Sequence, residues 1–133
     1  MEQMLIKVFK YYKKKYNLDT LIDFRNRSVV SLTAYYDYDD DIIFFDIHQL
    51  NIAFLTYKKF DIFNDIPYQK ALIILLHELN HAIEREKLIA EWEWFERFIP
   101  FHIKLYRYSF YADNLPFERR ANNFALKELS KWT

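Results

Sequence analysis

His77-Glu78-Leu79-Asn80-His81 is the run whose residue types and spacing could do chemistry. One helical turn separates the two histidines, so both imidazoles leave the same face and can hold one zinc ion. Glu78 stands beside them, where its carboxylate can take a proton from water that the ion has activated. The chain has four histidines and no cysteine. Disulfides and thiolate metal sites are thereby excluded, and any zinc ligands must be His, Asp or Glu.

The helix that must position this run is legible upstream of it. Pro67 suits a first helical turn, with Asp65 as its cap. The run Ala71-Leu72-Ile73-Ile74-Leu75-Leu76 follows without a breaker, and Ala82-Ile83 carries the helix past the second histidine. The pattern predicts a helix over 67–88, apolar on nearly every side and therefore buried. Desolvating unpaired polar groups costs several kcal/mol, and a bound dication would give two buried histidines and a glutamate their reason.

A catalytic zinc needs a third protein ligand and an open position. Glu84, Glu86, Glu91, Glu93, Glu96, His102 and Glu118 lie downstream. A second helix normally completes such a site, which narrows the choice to His102 and Glu118, with the Glu91 to Glu96 group as outsiders. The segment Pro116-Phe117-Glu118-Arg119-Arg120-Ala121-Asn122-Asn123-Phe124-Ala125 starts a helix at a proline and sets Glu118, Ala121, Asn122 and Ala125 on one face. The small alanines allow close approach to the histidine helix, and Asn122 could hydrogen-bond the free ring nitrogen of a ligating histidine. On spacing alone, Glu118 is equally well read as a first-turn glutamate favoured by the helix dipole.

The two motifs together resemble the ImmA/IrrE family of zinc metallopeptidases, which carries H-E-x-x-H on one helix and E-x-x-A-N-x-F-A on a later one. The resemblance spans roughly residues 40–130. It implies a gluzincin-type site: His77, His81 and Glu118 as zinc ligands, Glu78 as general base and Asn122 supporting a histidine. It also implies an edge strand along which an extended substrate aligns, a role that Ile42 to Ile47 suits. The chain departs from the family pattern at Asn80, where glycine is usual, at Arg120, where an acidic residue is usual, and in its longer gap from His81 to Glu118. SprT-like DNA-associated proteases are a neighbouring resemblance, and there His102 would be the third ligand.

The remaining elements read as follows. Residues 2–16 form an amphipathic helix with Leu5, Val8, Phe9, Tyr12 and Tyr16 on one face. Val29 to Tyr36 and Ile42 to Ile47 are strands of a hairpin around the turn Asp37-Tyr38-Asp39-Asp40-Asp41. Residues 48–60 suit either a strand or a short helix. A further helical stretch falls within 89–111, and a last helix spans about 116–131. The expected fold is α+β in one domain, 1–133: a small antiparallel sheet packed on a helical zincin-type core, with the H-E-x-x-H on a buried helix.

Composition adds limits. The chain has 133 residues, 19 basic against 19 acidic, a balance that argues against a generally basic nucleic-acid binder. The Lys7 to Lys15 run with its tyrosines reads as the solvated face of a packed helix rather than a phosphate-binding surface. Glycine is absent, so left-handed backbone positions must fall to Asn or Asp, with Asn17, Asn64 and Asn114 placed for it. Abundant Tyr, Phe, Ile, Lys and Asn fit an AT-rich genome such as that of a virus or mobile element. The N-terminal residues lack a signal-peptide core and no run reaches membrane-spanning length, so a cytoplasmic protein is expected. Asp37 to Asp41 lacks the spacing of a calcium loop, and Trp92 and Trp94 read as core. The expected activity is zinc-dependent hydrolysis of a protein or peptide substrate, as in limited proteolysis of a regulatory protein. The rival is a catalytically silent zinc-binding interaction protein with the same fold.

Overall fold

The apolar stripe Leu5, Val8, Phe9 and Tyr12 repeats at helical spacing and is buried along one side of α1 (Glu2–Lys15). Tyr16, expected to extend that stripe, lies beyond the helix and is exposed. The helix closes where Leu18 N–H donates to the Lys13 carbonyl (2.9 Å) and Asn17 N–H to the Lys14 carbonyl (3.3 Å). Asn17 has φ 53°, the left-handed cap that a glycine-free chain must build from asparagine. Asp41, at φ 55°, does the same in the hairpin turn. The computed structural model describes residues 2–24, 34–46, 66–98 and 115–133. The expected features at 25–33, 47–65 and 99–114, including Asn64, Asn114 and His102, lie outside the described residues.

The architecture is α+β, with four helices and a three-stranded sheet among the described residues. After α1 come β1 (Leu21–Asp23), β2 (Ala34–Asp37) and β3 (Ile42–Phe45). The helices α2 (Ile66–Ile83), α3 (Arg85–Phe98) and α4 (Pro116–Leu129) follow. β2 and β3 form the expected antiparallel hairpin, with Tyr36 opposite Ile43. The sheet as a whole is mixed rather than antiparallel, because β1 pairs parallel to β3, with Leu21 opposite Ile42. Three residues are too few to show strand alternation, and a parallel partner must come from far along the chain. The order β1-β3-β2 also corrects the expected role of Ile42 to Ile47. β3 is central, paired on both sides, and among the described residues β1 and β2 are the two edges.

The turn between β2 and β3 is held internally. The Tyr36 and Thr20 hydroxyls both donate to Asp41 Oδ1, at 2.6 and 2.7 Å. Backbone N–H groups of Asp39 and Asp40 donate to Asp37 Oδ1, so these carboxylates serve the turn.

Leu72, Leu75, Leu76 and Leu79 of α2 are fully buried with Leu5, Val8, Ile43 and Phe45, each worth roughly 1.5–3 kcal/mol of apolar burial. α2 packs against α1, β2, β3 and α4, so the element carrying the histidines is the centre of the fold. The expected single helix over 67–88 is in fact two, with the turn at Glu84. Helical bonding runs through that turn, Glu84 N–H to the Asn80 carbonyl and Leu88 N–H to the Glu84 carbonyl. The side chains on either side of it are engaged elsewhere: Glu84 with Arg120, and Arg85 with the Tyr38 carbonyl at 2.8 Å.

Candidate metal centre

His77 and His81 leave α2 toward α4, whose first turn brings Glu118 to meet them. Leu115 caps α4 without a side-chain bond and Pro116 opens it, leaving Glu118 in the turn where unpaired N–H groups favour a carboxylate. Ala121 and Ala125 are fully buried on the same helix. Their lack of bulk lets α4 lie close to α2, which sets the reach of Glu118.

The three side chains converge. Nε2 of His77 lies 3.1 Å from Glu118 Oε2, and Nε2 of His81 lies 2.9 Å from Glu118 Oε1. The two Nε2 atoms are 3.1 Å apart. Around a tetrahedral zinc with bonds near 2.0–2.1 Å, ligand atoms sit about 3.3 Å from one another. The observed separations match that figure to within a few tenths, and the donor set of two imidazoles and a carboxylate is one that zinc accepts. His77 Nδ1–H donates to Asn122 Oδ1 at 2.7 Å. That bond leaves the Nε2 lone pair facing Glu118, as a ligand requires.

Glu78 is the neighbour rather than a member of this triad. Its half-buried carboxylate accepts a hydrogen bond from the backbone N–H of Tyr36, on β2. Burial pushes the Glu78 carboxyl up, and His81 and His77 only partly oppose it. Burial also acts on Glu118, but hydrogen bonds from His77 and His81 outweigh it and hold that carboxyl down at about 2. For His77, burial lowers the imidazole and the Glu118 hydrogen bond and charge, with Glu78 adding, raise it overall. Two carboxylates in one site are thus driven in opposite directions, one kept ionised and the other made more basic.

Some contributors to the site carried no local sequence signal. Tyr36 reaches Glu78 through its backbone, which no residue type announces. Phe117 packs edge-on against His81, with ring centroids 6.3 Å apart, and Trp92 packs against Phe117 at 5.8 Å. Arg120 donates to Glu84 at 2.7 Å and pairs with Glu91 at 2.8 Å, tying α2, α3 and α4 together beside the triad. The pairing of Arg120 with Glu84 is a tertiary contact across the turn after α2, and no local pattern announces it. Asn80 is 5% exposed and its Nδ2 has no partner among the described residues. Glu86, Glu93 and Glu96 are exposed on α3 and outside the triad. Trp92 packs against the core as expected, whereas Trp94 is 58% exposed and does not.

Comparison with protein-family models, with curated proteins and with solved structures gives no match to this chain. Among the described residues no helix is long and apolar enough to cross a membrane.

Proposed function

We propose that this protein is a zinc-dependent metallopeptidase of the kind the ImmA/IrrE resemblance implies. The observation that carries the reading is the convergence of His77, His81 and Glu118 ligand atoms within 4.8 Å, with Glu78 on the adjoining helical position. His77, His81 and Glu118 would hold the ion, and Asn122 would fix the His77 ring. A bound zinc ion supplies Lewis acidity to water and to a scissile carbonyl.

The chain's own residues supply the rest. Glu78, made more basic by burial, accepts the proton of the attacking water and returns it to the leaving amine. An ordinary solvated carboxylate would be a weaker base at neutral pH, so its environment suits this work. β2, at an edge of the sheet among the described residues, offers backbone groups to an extended peptide. Tyr36 already places that edge beside Glu78.

The test has two arms. Metal content is measured by mass spectrometry for wild type and His77→Ala, and cleavage of a diverse peptide mixture is followed for wild type and Glu78→Gln. The expectation is about one zinc per chain in wild type, lost in His77→Ala, with Glu78→Gln retaining zinc and losing roughly 10²–10⁴-fold in rate. A wild-type protein that takes up no zinc would end this reading. Zinc retained without cleavage of any peptide would leave the silent binding protein as the answer.

A further inference from the structure

Glu118 stands in the first turn of α4, and that turn has no side-chain cap at Leu115. Its orientation therefore depends on contacts with other elements. Phe117, Ala121 and Ala125 are buried along the middle of the helix. The alanines set how closely α4 approaches α2. With one methyl group each, they make shallow ridges and give little resistance to rotation of α4 about its own axis.

Directional contacts on the two flanks of that buried stripe supply the resistance. Two positions along an α-helix are about 200° apart, so Glu118 and Arg120 leave opposite flanks. Glu118 meets the histidines. On the other flank, Arg120 Nε–H donates to Glu84 Oε2 at 2.7 Å, and Nη2 forms an ion pair with Glu91 Oε1 at 2.8 Å.

The partners of Arg120 are placed to matter. Glu84 lies in the turn after α2, three residues past His81, and Glu91 lies on α3. A planar guanidinium engaged with two separate carboxylates has its direction fixed, which a single point charge would not achieve. The three side chains are only 25–29% exposed, so salt screens them less than a surface pair.

We propose that Arg120 is a positioning residue for the metal centre. By holding Glu84 and Glu91 it sets the rotation of α4, and thereby the place of Glu118 opposite His77 and His81. The consequence for a metal rests on the zinc reading of the triad. The consequence for α4 does not.

Charge alone predicts the opposite effect on zinc. Arg120 is a cation near a site for a dication, so its removal should tighten zinc binding by Coulomb's law. Loss of position should weaken it. The first arm titrates zinc into the full chain against a chelating dye, comparing wild type with Arg120→Ala, Arg120→Lys and Arg119→Ala, the neighbouring exposed cation. Arg120→Ala is expected to bind zinc about tenfold more weakly. Arg120→Lys keeps the charge but not the fork, and should fall between Arg120→Ala and wild type. It carries the test if Arg120→Ala does not fold. Arg119→Ala should bind no more weakly than wild type.

The second arm needs no metal. The chain has no cysteine, so Gln69→Cys on α2 and Leu126→Cys on α4, both at exposed positions, can carry spin labels. Their separation is measured by pulsed electron resonance in EDTA. Arg120→Ala should shift or broaden that distance, and Arg119→Ala should leave it as in wild type.

With a wild type that binds zinc, equal or tighter binding in Arg120→Ala overturns the proposal, and so does an equal weakening in Arg119→Ala. A label distance that Arg120→Ala leaves unchanged overturns it as well. If wild type takes up no zinc while Arg120→Ala moves the labels, the hold of Arg120 on α4 stands and only the metal is removed.

Discussion

Asn122 meets His77 on the ring nitrogen that faces away from Glu118, and that single bond selects the tautomer. With Nδ1 carrying the proton, Nε2 presents a lone pair to its neighbours, and so does Nε2 of His81 if that ring is also a ligand. Two lone pairs at 3.1 Å with a carboxylate beside them repel unless a proton or a cation lies among them. The raised His77 imidazole and the lowered Glu118 carboxyl record the proton's solution to this problem. A metal ion is the other solution. Because the Asn122 side chain hydrogen-bonds the His77 ring, Asn122→Ala should leave the triad in place but loosen its orientation. The expected outcome is a 10–100-fold loss of zinc affinity with the fold retained, read by competition against a chelating dye alongside circular dichroism. Affinity equal to wild type would show that packing alone orients the ring.

At the scale of elements, the site is a property of the α2–α4 contact. Ala121 and Ala125 are fully buried there, so bulk added at Ala121 has nowhere to go. Ala121→Leu should cost about 1–3 kcal/mol through overpacking and push Glu118 away from the histidines. Zinc affinity should fall even though no ligand has changed, whereas exposed Leu126→Ala on the same helix should alter neither. Denaturant unfolding and zinc titration of the two variants check this. The α4 face was readable in the sequence because proline, glutamate, alanine and asparagine fall at fixed helical offsets, and the stripe of α1 was readable for the same reason. The hairpin was legible from alternation around an aspartate-rich turn. β1 was not, since Leu21, Ile22 and Asp23 become a strand only by pairing with Ile42, Ile43 and Phe44. That same pairing makes β3 central and leaves β1 and β2 at the edges of the sheet among the described residues. The break at Glu84 was hidden too, because an uninterrupted helical pattern says nothing of Arg120 or of the Tyr38 carbonyl, both set by tertiary contacts.

For the whole molecule, an ion held by the triad would couple metal binding to folding. α2 is packed by α1, the sheet and α4, and the unfolded chain does not bring Glu118 to His77 and His81, so a ligand for the triad stabilises the native state alone. Without metal, the signs can be worked out group by group. The Glu118 carboxyl is lowered from 4.5 to about 2. Its contribution is present above about pH 4.5 and is lost as pH falls toward 2. The His77 imidazole is raised above 6.5. Its contribution is full below about pH 6.5 and is lost as pH rises through the raised value. The Glu78 carboxyl, raised above 4.5, adds a loss in the same upward direction. The metal-free protein should therefore be most stable within about pH 4.5–6.5. Zinc bound at the triad would reverse the trend at the alkaline side, because it would have to displace the His77 proton at low pH and not at high pH. At free zinc 100-fold above its dissociation constant the native state gains about 2.7 kcal/mol. For a chain of 133 residues, that gain corresponds to roughly 10 °C in Tm at about 2.1 cal/mol/K per residue. Calorimetry at fixed free zinc against EDTA should show this rise at pH 7.5 and a clearly smaller one at pH 5.5. The difference should vanish in His77→Ala. A zinc-induced shift of equal size at both pH values would mean that the ion binds elsewhere, since a site that competes with the His77 proton carries this pH dependence.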